Sequence, residues 1–225
     1  MPRKPFLPQH RGKPWSIGVY AEEAPPVLKQ LIGDVAINWS HVENHLALTM
    51  GSLLGIENSA SVAVFIELRN NRSRRDALEA AAKAVLPENE LLIFHAIMNI
   101  HRSLDGQRND VVHGIWGFGS NIGQSVLWKS VQDNAVAHIR DYHARRPDYI
   151  DPNFQVDENH QTGMFVYALA DISHLRDDIT ALSNIIRDFH SFLRYRDHVA
   201  GESALRQLNE TPLLQKEISR MNGLS

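Results

Sequence analysis

The sequence predicts a mainly α fold: a bundle of four or five helices with a small β-meander inserted before the last long helix. Two observations carry this. Apolar residues recur at three- and four-residue steps near both ends of the chain, as one face of a helix requires. Between them, from about residue 114 to 170, glycines and tryptophans break that period and short apolar runs take its place.

The elements follow in order. Residues 1–24, opening "MPRKPFLPQHRGKPW", read as a mobile basic, Pro-rich arm; it lacks the apolar core of a signal peptide. Pro25 and Pro26 then open a long helix whose stripe runs through Leu28, Leu31, Val35, Trp39, Val42, Leu46, Met50 and Leu53, with Gly55 as its stop. A shorter helix is expected over Ser59 to Leu68. "NRSRRDALEAAAKAVL" is a third, rich in alanine and opened by polar residues able to cap it. Pro87 starts a fourth, with Glu88 and Glu90 at the positive end of its dipole and Asp105-Gly106 as the turn that closes it.

The glycine-rich stretch after residue 114 predicts a hairpin around Ser120 to Gly123. "AVAHIRDYHA" and "GMFVYALA" are expected as further strands, separated by a polar loop from Arg145 to Thr162. Helical spacing returns through Ile172, Leu175, Ile179, Leu182, Ile186, Phe189 and Leu193. This gives one helical domain over 25–196 with an insert at 114–170, and a polar tail over 197–225 with room for one short helix.

Composition narrows the class. With 43% hydrophobic and 22% charged residues, the 225-residue chain reads as an ordinary globular protein able to bury a substantial core. It contains no cysteine, which removes disulfides, thiolate metal sites and thiol nucleophiles and agrees with a cytoplasmic setting. No apolar run approaches the roughly 20 residues that span a bilayer. A net charge of −3 argues against nonspecific coating of nucleic acid but permits a local basic site.

The chemistry concentrates in "RNDVVHG", residues 108–114. Metal-free cleavage of RNA needs a base for the ribose 2′-hydroxyl, a cation for the crowded phosphate and an acid for the leaving oxygen. Histidine suits the proton transfers, and arginine, permanently charged and bidentate, suits the phosphate. His113 and Arg108 supply those groups. On an ideal helix they stand about 140° apart, whereas Asn109 and His113, at i and i+4, share a face.

R-N-x-x-x-H, with Arg108, Asn109 and His113 in the fixed places, resembles the signature of the HEPN superfamily. Many of its members are metal-independent endoribonucleases built on helical bundles, found in toxin–antitoxin and defence systems. The resemblance covers residues 25–115 and 171–196. It implies that Arg108 holds the scissile phosphate, that His113 is general acid or base, and that Asn109 orients the site, with no cofactor and no metal. It also implies a homodimer in which two copies of the motif face one RNA cleft, and a cognate antitoxin as a further partner. In many members the histidine-bearing helix runs on; here Gly114, Gly117 and Gly119 follow at once. The alternative is a non-catalytic module that keeps the motif to bind RNA, a nucleotide or a protein.

Several other clusters bear on this reading. Glu43 on the first helix and Asp110 inside the motif are supporting candidates, Glu43 by pairing with Arg108 or tuning His113. Arg69, Arg72, Arg74 and Arg75 gather beside a helix start, as RNA phosphates would require, though such clusters are commonly solvated. Arg3, Lys4, Arg11 and Lys13 give the arm the same character. His41 and His45 have metal-ligand spacing, but Glu43 is out of place for a zinc-protease motif and no third ligand stands out, so a structural or surface role is expected. Trp116 and Trp128, either base-stacking or core residues, are expected to be buried.

Overall fold

Pro25 and Pro26 do open the first helix. The computed structural model describes residues 4–5, 15–18, 22–56, 59–119, 122–144 and 163–223, and among these the chain is mainly helical with one small antiparallel sheet. The helices are α1 (Pro26–Leu54), α2 (Ser59–Glu67), α3 (Asn71–Val85), α4 (Glu88–His113), α5 (Val131–Ala144), α6 (Leu169–Arg194), α7 (Val199–Glu210) and α8 (Pro212–Met221). The strands are β1 (Lys4–Pro5), β2 (Trp15–Ile17), β3 (Ile115–Gly119), β4 (Ser125–Lys129) and β5 (Met164–Ala168), in the order β1-β5-β4-β3-β2. None of the described helices is long and apolar enough to cross a membrane.

The chain divides into two compact units. The first takes residues 1–35 and 107–175, the second 36–106 and 176–223 of the described chain. The expected insert is therefore part of a larger unit, to which the N-terminal segment also belongs. The described part of that segment is more than an arm: β1 pairs with β5, and β2 pairs with β3 through Ser16 opposite Phe118. A side chain at Gly117 could not allow this, because its Cβ would lie 2.0 Å from the Ser16 carbonyl oxygen. The tail is likewise folded, as α7 and α8.

In the first unit, alternation along the strands separates two sheet faces. Trp116, Trp128, Val126, Phe165 and Tyr167 share one face by register; Leu127, Met164, Val166 and Ile17 share the other. Tyr167 has no exposed surface and sets its ring 5.9 Å from Trp116 and 6.0 Å, edge-on, from Trp128. Strand β4 is buried on both sides from Val126 to Lys129. "AVAHIRDYHA", expected as a strand, belongs instead to α5. Its start is a reciprocal cap: Ser130 Oγ accepts from the Asp133 amide (3.0 Å) and donates to the Asp133 carboxylate (2.7 Å). The expected polar loop 145–162 lies outside the described residues.

The second unit is helical. Its core includes Trp39, Val42 and Leu46 of α1, Leu78 of α3, Phe94 and Ile97 of α4, and Ile179, Leu182 and Phe189 of α6. A polar residue caps α3, but it is Asn70, one position before the expected stretch, with its side chain accepting from the Ser73 amide at 2.7 Å. One expectation fails. Asp105-Gly106 does not close α4, which continues to His113. The Asp105 carboxylate is buried and taken up by α3: Asn71 Nδ2 donates to both its oxygens at 3.1 Å, and Arg75 Nη1 stands at 3.5 Å. Tertiary bonds thus hold in helix a dipeptide that locally favours a turn.

Candidate active site at the end of α4

All of "RNDVVH" is helical, so the motif occupies the last turns of α4 rather than a segment after a turn. Regular helix geometry then applies. Arg108 and His113 differ by about 140° around the axis and about 7.5 Å along it. Arg108 is half-buried, and its Nη1 donates to Asn109 Oδ1 at 2.8 Å. Asn109 therefore orders the guanidinium of its neighbour. His113 stands exposed on the final residue of the helix. Asp110 is half-buried between them and contributes its carbonyl to the sheet, accepting from Trp128 Nε1 at 2.7 Å.

The helix stops at His113 for a reason visible in the next residue. A Cβ on Gly114 would lie 1.8 Å from Trp128 Nε1 and 2.7 Å from the Asp110 carbonyl oxygen. Only glycine leaves room for the indole to reach that carbonyl. Trp116 donates in the same way to the Val111 carbonyl at 3.1 Å. Both tryptophans are buried, as expected, but their role at the motif was not read from the sequence. The signal was present in part: a glycine directly after the histidine, followed by two tryptophans at symmetric places in a hairpin.

The other candidates lie in the second unit. Glu43 accepts from Trp39 Nε1 (3.3 Å) and pairs with Arg74 Nη1 (3.7 Å). Arg74 also donates through Nε to the Leu68 carbonyl (2.7 Å) and through Nη2 to that of Ile66 (3.4 Å), with its guanidinium 5.2 Å over the Phe65 ring. It serves as the C-terminal cap of α2. Arg75 faces Asp105. Together with Leu46, Asn71, Leu78 and a His101 ring tilted by 34° at 5.0 Å from Trp39, these side chains line a partly open pocket of about 10 Å³, room for one water. Arg69 and Arg72 remain at the surface, Arg72 beside Asp76 at 3.7 Å. The arginine cluster is thus split into two structural and two solvated members. Lys4 lies in β1, while Arg3, Arg11 and Lys13 lie outside the described residues.

His41 is exposed, and His45 turns its Nδ1 to the Ser183 carbonyl at 3.1 Å and Ser183 Oγ at 3.2 Å. Burial lowers the His45 pKa, with the bond to Ser183 opposing. Among the described residues, no three His, Asp or Glu side chains gather into a metal site.

No family model, curated protein or solved structure matches this chain.

Proposed function

We propose that this protein is a metal-independent endoribonuclease of HEPN type, acting as a homodimer. The observation that carries the reading is the end of α4: an R-N-x-x-x-H stretch on one continuous helix, with Arg108 ordered by Asn109 and His113 exposed on the last residue. Arg108 and His113 leave the helix of one chain about 140° apart, and a second copy is a direct way to bring an arginine and a histidine to one phosphate. Arg108 holds the scissile phosphate. His113 takes the proton of the ribose 2′-hydroxyl, whose oxygen attacks phosphorus. The bond to the 5′-oxygen breaks as the imidazolium so formed passes that proton to it, leaving a 2′,3′-cyclic phosphate and a free 5′-hydroxyl.

The test is incubation of the purified protein with single-stranded and structured RNA in excess chelator, followed by analysis of the product ends. Cyclic phosphate is expected, with His113→Ala and Arg108→Ala each lowering the rate by about 10²–10⁴-fold. RNA that is bound but left intact by the wild type favours the non-catalytic binding module. Cleavage undiminished in both variants removes the motif from the chemistry altogether.

A further inference from the structure

The carbonyls of a helix's last turn point past its end and need donors from elsewhere. At the end of α4 those donors are the two indoles, Trp128 on the Asp110 carbonyl at 2.7 Å and Trp116 on the Val111 carbonyl at 3.1 Å. They stand directly opposite each other across β3 and β4. Neither indole has room to turn: Trp116 and Trp128 are 8% and 4% exposed, and the Tyr167 ring packs against both. Gly114 completes the arrangement by leaving open the space that the Trp128 indole occupies.

We propose that the sheet is the positioning element of the α4 site. Trp128 and Trp116 are positioning residues: they clamp the carbonyls of Asp110 and Val111, three and two residues before His113, and Gly114 seats the clamp, so the direction in which the imidazole leaves the helix is set by the sheet. This assigns a task to the β-structure and to the glycine at which the family's helix would otherwise run on. It rests on the nuclease reading for its consequence, but not for its geometry. Filling the core would need only aromatic rings. Clamping needs the indole N–H.

Trp128→Phe separates the two, keeping the ring and losing the donor. The measurements are the proton–carbon NMR signals of the His113 ring, assigned by their loss in His113→Ala, and steady-state cleavage of a mixed-sequence oligoribonucleotide. The expected result is a displaced His113 signal, unchanged His41 and His45 signals, and a kcat lowered roughly tenfold with KM within about twofold. Gly114→Ala, which drives the indole off the carbonyl, shifts the His113 signal and kcat in the same sense. Leu208→Ala, a core truncation in the second unit, leaves the His113 signal in place. If Trp128→Phe does not fold, Trp116→Phe, which gives up the longer of the two bonds, reads the same displacement. An unmoved His113 signal with wild-type kcat in the folded Phe variant overturns the proposal and leaves the indoles as core filling. A displaced signal in a protein whose wild type cuts no RNA upholds the clamp and removes the nuclease reading instead.

Discussion

At the residue scale, Lys129 is the least expected placement. It ends β4 with no exposed surface, on the sheet face it shares with Leu127 and Met164. Burial lowers its pKa, and the charge of Asp133 opposes that shift. The consequence has a sign. Below the lowered native value both folded and unfolded chains hold the proton, and the stability cost that corresponds to the lowered pKa applies in full. Between that value and about 10.4 the native chain releases its proton first, so stability rises with pH. Lys129→Met removes the penalty, and replacing a buried charge with an apolar side chain of similar size is often neutral or stabilising by about 1–4 kcal/mol. Urea midpoints should therefore favour the methionine variant near neutrality, with the wild type closing the gap as pH rises toward about 10. Parallel pH profiles for the two proteins would contradict the assignment. Nothing in the sequence marked this lysine, because its burial follows from strand register rather than from local composition. Arg108, Asn109 and His113 are proposed on the opposite kind of signal: a side chain's chemistry is named by the sequence, whatever surrounds it.

At the scale of elements, α1, α2, α3 and α6 lie close to where apolar spacing and caps place them, since those signals are local and the tertiary structure agrees with them. The errors fall where it does not. Strand alternation in "AVAHIRDYHA" competes with the Ser130–Asp133 cap, and the cap decides the element. In α4 the turn signal of Asp105-Gly106 yields to the bonds from Asn71 and Arg75. Gly106 is then a helical residue without a turn to make. Its φ is not positive, it is exposed, and nothing lies within 4 Å of where a Cβ would stand. Gly106→Ala should stabilise the protein by about 0.5–1 kcal/mol through backbone entropy, raising the thermal midpoint by about 2 °C. A lower midpoint on a melting curve would show that the glycine is needed for a reason other than flexibility.

At the scale of the whole molecule, the proposed nuclease reading turns on whether one chain completes a site. Helix geometry sends Arg108 and His113 in different directions, and Asn109 is spent on ordering the arginine rather than on joining the pair. A two-fold dimer resolves this if each phosphate is held by the arginine of one copy and served by the histidine of the other. The arrangement can be tested without a structure of the complex, by mixing inactive Arg108→Ala and His113→Ala proteins under conditions that exchange subunits. In a mixed dimer, one site lacks both groups and the other keeps both. Random exchange makes half of the dimers mixed, so activity should return to about a quarter of wild type. If arginine and histidine must come from the same copy, every site in the mixture lacks one of them and no activity returns. The same holds if all four groups are needed at once. Sedimentation of the wild type begins to separate these cases, since a monomer that cleaves RNA would confine the site to one chain. For a dimer, exchanging wild type with the Arg108→Ala/His113→Ala double variant leaves the mixed dimers half active if each copy is complete and inactive if all four groups are needed.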